Sequence, residues 1–211
     1  MPRRPWNVKI SADYVLIVEG PDDKRFFEAL LNRSKISGFQ VVHVEGVDNL
    51  RVRVRALKNQ GEFKRVVSFG IVCDADDGRD VAFRKMRRAL RAANLPVPPA
   101  PQKIVGDRPR VSTLVIPPDE NMSGRMLEDL CLKAVENDAA MSCVDEYFRC
   151  LEDQNITLKE VAIPKARLHT FLASREKPGL RLGEAAEKND IPLDSPVFEP
   201  VVNFLRQLSA G

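Results

Sequence analysis

The chain has 211 residues, of which 44% are apolar and 30% charged, and this composition is typical of a globular protein rather than a disordered one. Basic residues outnumber acidic ones by only 33 to 30, so net charge alone does not indicate a nucleic-acid-binding protein. No apolar stretch approaches the roughly 20 residues of a transmembrane helix, and the basic N-terminus lacks the apolar segment of a secretory signal, so we expect a cytoplasmic protein with no membrane partner.

The first predicted element is a buried strand that ends in carboxylates. Residues 15–18 are apolar and run into Glu19, which a Gly-Pro pair follows. The spacing of the next apolar residues predicts a helix over 24–32, so Asp22 and Asp23 lie at its start. Acids at that position could simply cap the helix. Three carboxylates within five positions nevertheless suggest a cation or another partner.

Two further strand–helix units follow. Residues 40–44 predict a short strand, and residues 46–59 predict a helix with a basic outer face. Residues 65–73 form a near-continuous apolar run that is typical of a central parallel strand, and it ends in Asp-Ala-Asp-Asp-Gly. A strongly basic helix is predicted over 79–93. This alternation indicates a parallel sheet with right-handed crossovers.

The pattern changes after the basic helix. A proline-rich loop over 95–110, with a possible short hairpin, precedes a strand predicted over 111–116. Beyond it the pattern is helical, over 125–136 and approximately over 139–152, 158–173 and 197–208. A turn-rich segment over 176–196 separates the last two helices. We therefore predict an α/β core over 1–118 and a helical C-terminal extension over 119–211 that packs on it.

The cysteine pattern disfavours a zinc site. The four cysteines form no CxxC pair, and they are Cys73, Cys131, Cys143 and Cys150. One lies in a predicted strand and three on apolar faces of predicted helices, so we expect reduced thiols in the core. The chain has only two histidines, and any bound metal would therefore be held by oxygen, which favours Mg²⁺, Mn²⁺ or Ca²⁺.

Carboxylates at strand ends are the strongest chemical signal in the chain. In an open parallel sheet the functional crevice lies at the carboxyl ends of the strands, where the strand order reverses. If the second and third strands flank the first, Glu19 meets Asp74 and Asp76 there. Asp74 and Asp76 are two residues apart, so on an extended chain they would project to the same side. Such a group cannot stay fully ionised without compensation, which a divalent cation would supply.

These segments resemble the two signatures of the Toprim domain. VEGPDD and GIVCDADDG match its glutamate after the first strand and its Asp-x-Asp after the third, over roughly residues 13–116. Topoisomerases of types IA and II, bacterial primases, recombination mediators and nucleases of the OLD (overcoming lysogenisation defect) family share this domain. The later segments LED, at 127–129, and PKARLHTFLA, at 164–173, resemble small stand-alone Toprim-like proteins. The resemblance implies a Toprim-like Rossmannoid sheet flanked by helices.

The resemblance also implies phosphodiester chemistry with two metal ions. The implied ligands of Mg²⁺ or Mn²⁺ are all carboxylates, namely Glu19, Asp23, Asp74, Asp76 and Glu128. Asp74 and Asp76 would hold one ion, and Asp23 and Glu128 a second ion ~3.5–4 Å from it. Glu19 would join the first ion or act instead as a general acid or base.

Two assignments stay open. By likeness to OLD-type nucleases Lys165 would assist the transition state, whereas a surface lysine is the ordinary interpretation of that helix position. Asp23 fits the family pattern better than Asp22, which suits an N-cap. Without the resemblance, the acids at these sites would be helix caps and turn residues.

The basic helix is the candidate nucleic-acid-binding element. Its cations could follow a phosphate backbone beside the metal site, although a solvated outer face is equally consistent with the pattern. They are Arg79, Arg84, Lys85, Arg87, Arg88 and Arg91. We expect the cations over 51–55 to form a solvated face, Trp6 to pack against the sheet, and His169 to be a partly buried packing residue.

Three functions are consistent with these features. The first is a Mg²⁺-dependent nuclease or phosphotransferase acting on DNA or RNA. The second is a non-catalytic nucleic-acid-binding or regulatory module that works with an ATPase or another protein, since the chain has no GxxxxGK[ST] motif. The third and weaker one is a phosphatase-like or nucleotide-processing enzyme. The chain has neither a primase-type cysteine ribbon nor a well-placed tyrosine for topoisomerase chemistry.

Overall fold

The computed structural model describes residues 6–210 and contains a four-stranded parallel sheet in the order β2-β1-β3-β4. The strands are β1 (Tyr14–Val18), β2 (Phe39–His43), β3 (Ser68–Asp74) and β4 (Arg110–Ile116). The helices are α1 (Pro21–Arg33), α2 (Leu50–Lys58), α3 (Arg79–Ala92), α4 (Leu127–Ala134), α5 (Ala140–Asp153), α6 (Ile163–Ala173), α7 (Leu182–Glu187) and α8 (Glu199–Ser209). The predicted α/β class with a helical C-terminal part is confirmed.

Strand order and register place the ends of the central strands together. The sheet has the order on which the meeting of the acids depends, with β1 between β2 and β3. Val18 pairs with His43 of β2, and Ile17 pairs with Ile71 of β3, so the three carboxyl ends lie at one edge. Helix α1 packs on one face of the sheet and α2 on the other. The strand order therefore reverses between β1 and β3, which is where ligands bind in open α/β sheets.

Each face of the sheet has its own apolar layer. On one face α2 and α3 pack through residues such as Leu57 and Met86. On the other face the layer includes α1, α8 and parts of α4, α6 and α7. Gly70 of β3 lets α8 approach the sheet, because a Cβ there would lie 2.7 Å from Cδ1 of Leu208. This layer contains residues from both sides of position 118, from Leu16 to Leu208. The division of the chain into a core over 1–118 and an extension over 119–211 stays a prediction.

Several local features differ from expectation. Helix α7 lies inside the segment expected to be turn-rich, and its six residues are too few to show helical periodicity. The possible hairpin is reduced to one antiparallel bridge between Val105 and Val111. Cys73 and Cys131 are buried thiols as expected, but the prediction was wrong for Cys143 and Cys150, which are exposed on α5.

No helix within residues 6–210 has the length and apolar character needed to cross a bilayer. The basic N-terminal residues 1–5, which we expect not to belong to a secretory signal, lie outside the described range.

Helix α7 touches α1 at a glycine, and this contact is testable. A Cβ on Gly183 would lie 2.5 Å from Cβ of Arg25 and 2.7 Å from the carbonyl oxygen of Asp22. We expect Gly183→Ala to lower the free energy of unfolding by about 1–3 kcal/mol through overpacking, although alanine has the better helix propensity. Gly61→Ala is the matched control, because nothing lies within 4 Å of its Cβ position. Equal urea midpoints for the two variants would contradict the close contact.

Candidate functional site

The ends of β1 and β3 carry the two central carboxylates. Oε1 of Glu19 accepts a hydrogen bond from the backbone N–H of Asp74 at 3.0 Å. Oδ1 of Asp74 in turn accepts one from the backbone N–H of Leu127, the first residue of α4, at 3.1 Å. Each carboxylate is therefore oriented by the backbone of another segment, at the edge where the strand order reverses.

Two further carboxylates come from helix N-termini. Asp23 lies in the first turn of α1, and its Oδ2 accepts a hydrogen bond from the Gly20 N–H at 2.7 Å. Glu128 lies in the first turn of α4, 3.8 Å from Nζ of Lys165 on α6. Helix capping accounts for the position of Asp23 when that residue is considered by itself. The charges of Asp23 and Glu128, however, both raise the pKa of Asp74. The structure thus brings the sequence-predicted acids to one edge.

The electrostatics of these acids show that their charge is poorly compensated. Burial raises the pKa of Glu19 from 4.5 to about 7. The hydrogen bond from the Asp74 N–H opposes this rise, and the charges of Asp76 and Asp23 add to it. Burial, followed by the charges of Asp23 and Glu19, raises the pKa of Asp74 well above its usual range. A group of this kind favours either a bound proton or a cation.

The other two acids follow the same pattern with partial compensation. Burial raises the pKa of Asp23, and the Gly20 N–H opposes that rise. Burial also raises the pKa of Glu128, while the neighbouring Lys165 ammonium opposes it. The same contact raises the pKa of Lys165, chiefly through the Glu128 charge, so the amine stays protonated.

Asp76 is near the group but not in the expected way. The strand ends at Asp74, and Asp76 is exposed in a turn with φ of 28°. The backbone N–H groups of Ala75 and Asp76 both donate to the carbonyl oxygen of Arg125, which bends the chain away from the extended path. The expectation that Asp74 and Asp76 project together from an extended strand is therefore wrong. The Asp76 charge still contributes to the raised pKa values of Glu19 and Asp74.

The donor set fits a hard divalent cation, although no coordination sphere is formed. Within residues 6–210, no three His, Cys, Asp or Glu side chains already have a spacing that could hold a metal ion. The converging donors are carboxylate oxygens, the ligands that Mg²⁺ and Mn²⁺ prefer. A cavity of about 10 Å³, lined in part by Glu19, Asp23 and Asp74, has room for about one water-sized body.

A cleft of about 430 Å³ opens beside the acids, between α1, α4, α6 and the start of α7. Its lining combines acids and cations: Asp22, Asp23, Glu128, Lys165, Leu168, His169, Arg181 and Leu182. Lys165 lines this cleft with Nζ 3.8 Å from the Glu128 carboxylate, and its catalytic role stays a prediction. A larger groove of about 720 Å³, between the C-terminal part of α1 and residues 186–193, contains none of the candidate residues.

Sequence reasoning missed two side chains of this cleft that can donate hydrogen bonds to an anion. His169 is exposed and lines the cleft, so its interpretation as a partly buried packing residue was wrong. Its spacing of four residues from Lys165 on one helix was the available signal. Arg181 precedes α7 in the segment expected to contain only turns, and nothing in the sequence pattern indicated its position.

Arg79, the first residue of α3, is engaged within the protein. Its guanidinium Nη1 donates to the carbonyl oxygen of Pro117, and its Nη2 lies 3.5 Å from that of Pro118. These contacts hold the segment after β4 against the start of α3. Arg79 is therefore less available to a nucleic-acid phosphate than the sequence suggests.

The other cations of α3 form two groups. Nζ of Lys85 lies 3.8 Å from the Asp77 carboxylate, and the Arg87 guanidinium lies 5.5 Å from the centre of the Phe83 ring. The exposed cations that remain are Arg84, Arg88 and Arg91. These three form the part of the predicted nucleic-acid surface that is open to a polyanion.

Trp6 packs as expected beside α2. Its indole Nε1 donates to the carbonyl oxygen of His43 at 3.1 Å, at the end of β2. The Arg53 guanidinium lies 4.6 Å from the Trp6 ring centre and bonds to Glu45, so this cation is held within the protein. Trp6 is thus tied to the sheet rather than available for stacking on a base.

Comparison with known proteins gives a family and a fold. A family model described as a protein of unknown function (DUF3226) matches residues 13–210. The chain belongs to the DUF3226 family. No curated protein matches this chain. Among solved structures, a hypothetical protein from Pyrococcus horikoshii OT3 is similar, with a TM-score of 0.61 and 18% identity over 92% of this chain and 94% of that chain.

Membership of the DUF3226 family and the similar archaeal structure give no function for this chain. The archaeal structure is similar in fold, and at 18% identity the likeness concerns the fold alone. The family description gives no activity, cofactor or partner. The Toprim resemblance of this DUF3226 chain and the roles of its acids therefore stay predictions.

The raised pKa of Glu19 predicts a pH-dependent stability. The folded protein binds the Glu19 proton more tightly than the unfolded chain, so this group stabilises the fold most below about pH 4.5 and loses that effect as pH rises through about 7. In protein treated with a chelator, we expect the associated fall in the free energy of unfolding to be roughly 3 kcal/mol. Glu19→Gln should remove this fall in urea titrations at stepped pH.

The control for this measurement is Glu152→Gln, which changes an exposed acid on α5 and should follow the parent protein. A pH profile that is unchanged in Glu19→Gln would contradict the raised pKa.

Proposed function

We propose that the chain catalyses Mg²⁺- or Mn²⁺-dependent cleavage of phosphodiester bonds in DNA or RNA, at a site of the Toprim type in the cytoplasm. The convergence of Glu19, Asp23, Asp74 and Glu128 at the edge between β1 and β3 carries the proposal. Burial is the largest cause of each raised pKa, and the acids add to the rise by acting on one another. A divalent cation at this edge would offset the repulsion between them.

The five candidate carboxylates divide into two groups of metal ligands. Glu19, Asp74 and Asp76 would hold one ion, and Asp23 and Glu128 would hold the second. The bound ions would supply activation of a water molecule and stabilisation of the leaving oxygen.

Two groups of the chain can act directly on the reacting phosphate. Lys165 is protonated and lines the cleft, so its ammonium can donate to the charge that develops on the phosphate oxygens. In the alternative role for Glu19, its pKa of about 7 suits proton transfer near neutral pH.

A second candidate is a module that acts with an ATPase or another protein partner. The observation that favours it is a group of exposed apolar side chains around the α5–α6 connection, namely Ile156, Leu158 and Val161. Glu160 in this segment pairs with Arg125, whose carbonyl oxygen binds the turn after Asp74. A partner on this surface would lie next to the acids. Cleavage that appears only when such a partner is added would favour this candidate.

Removal of one central charge tests the metal site. Asp74→Asn keeps the size of the side chain, and we expect it to slow Mn²⁺-dependent cleavage of labelled DNA and RNA by at least about 100-fold. Mg²⁺ at 100 times its dissociation constant should stabilise the parent protein by about 2.7 kcal/mol, and the variant much less. Glu152→Gln should behave as the parent in both assays. Absence of both cleavage and Mg²⁺-dependent stabilisation in the parent would sink the proposal.

The exposed cations of α3 give a separate test of nucleic-acid binding. A variant with Arg84, Arg88 and Arg91 replaced by alanine should bind duplex DNA more weakly, and the slope of log K against log salt should become shallower by about 0.9 for each phosphate that the variant no longer neutralises. The matched control replaces three exposed cations outside α2 and α3, namely Arg149, Lys177 and Lys188. Equal salt slopes for the two triple variants would show that α3 does not bind phosphate.

A further inference from the structure

The cleft beside the acids has one acidic and one cationic wall. Asp23 and Glu128 form the acidic side with Asp22, while the opposite side has the cations Lys165 and Arg181 and the imidazole of His169. Lys165 and His169 are one helical turn apart on α6. Within residues 6–210, the side chains of His169 and Arg181 form no ion pair, and they are free to contact a ligand.

The position of Arg181 is set by close packing of α7 on α1. Because Gly183 has no side chain, the backbone of α7 can lie against the Asp22 carbonyl oxygen and Cβ of Arg25. Nη1 of Arg25 also bonds to Oε1 of Glu184 at 2.7 Å. These contacts fix the start of α7, and with it Arg181, relative to the acids at the start of α1, as a preorganised binding site requires.

The size of the cleft limits what can occupy it. Its volume of about 430 Å³ lies at the lower end of the ~300–1,000 Å³ range of small-molecule sites. One nucleotide has suitable dimensions for that space, whereas a duplex does not. The cations suit a phosphate group, because charge-assisted hydrogen bonds to phosphate are shorter and stronger than neutral ones.

We propose that this cleft binds the terminal nucleotide of a strand, with Arg181 and His169 contacting its phosphate, so that the protein removes nucleotides from strand ends. This inference rests on the proposed function, since the neighbouring acids supply the cleavage. Hydrolysis of the adjacent phosphodiester breaks one P–O bond, adds the oxygen of water to phosphorus and transfers a proton to the leaving oxygen. The product in the cleft is a nucleoside monophosphate.

Binding of a mononucleotide tests the pocket directly. In calorimetric titrations of the full chain with Mg²⁺, we expect AMP to bind at least tenfold more tightly than adenosine, which lacks the phosphate. Arg181→Ala and His169→Ala should each weaken AMP about tenfold. The control Lys188→Ala changes an exposed cation outside the cleft and should bind AMP as the parent does. Equal affinities for AMP in the parent and in Arg181→Ala would overturn the pocket.

The need for a strand end is tested with closed substrates. Linear single-stranded DNA and RNA should be degraded to mononucleotides with Mn²⁺, while ligated circles of the same sequence should stay intact. Circles cut as fast as linear strands would overturn the terminal pocket and leave the nuclease proposal standing. Conversely, AMP binding that depends on Arg181, without cleavage of any substrate, would support nucleotide binding in the cleft and overturn both the nuclease and the removal of nucleotides from strand ends.

Discussion

The backbone N–H of Asp74 donates to the Glu19 carboxylate and so joins the ends of the two central strands. This contact exists only because β1 and β3 are neighbours and end at the same level of the sheet. It also brings buried negative charge into one place, where burial and mutual repulsion raise the pKa values of Glu19 and Asp74. When these acids are ionised without a counter-charge, the arrangement lowers the free energy of unfolding.

Most of the fold follows from local patterns in the sequence. The near-continuous apolar runs at residues 15–18 and 65–73 indicate central strands, because both faces of such strands are buried. Their alternation with amphipathic helices is sufficient to predict a parallel sheet, whereas the order of its strands was an assumption. Helix α7 was not predicted from these patterns, because it is short and packs against α1 through Gly183. Exposure of Cys143 and Cys150 likewise depends on where neighbouring helices end, which periodicity does not reveal.

The candidate site was predictable only where topology determines it. Glu19 and Asp74 terminate strands, so their meeting follows from strand order. The place of Glu128 depends on the bond between the Leu127 N–H and Asp74, a tertiary contact between residues 53 positions apart, and only family resemblance suggested it. Asp76 departs from the extended geometry because its backbone N–H donates a hydrogen bond to the carbonyl oxygen of Arg125. His169 could have been placed by its spacing of four residues from Lys165 on α6, whereas Arg181 joins the cleft through helix packing, for which the sequence has no short signal.

The packing of α8 on β3 and β4 has a consequence for the order of events during synthesis. Leu208 lies against Gly70, so a central strand near the beginning of the chain is covered by a helix near residue 210. All four strands leave the ribosome before that helix exists, and the part of the sheet around Gly70 then lacks the cover of α8, although α1 already belongs to the same layer. The apolar layer on this face is therefore completed only when the end of the chain has been made.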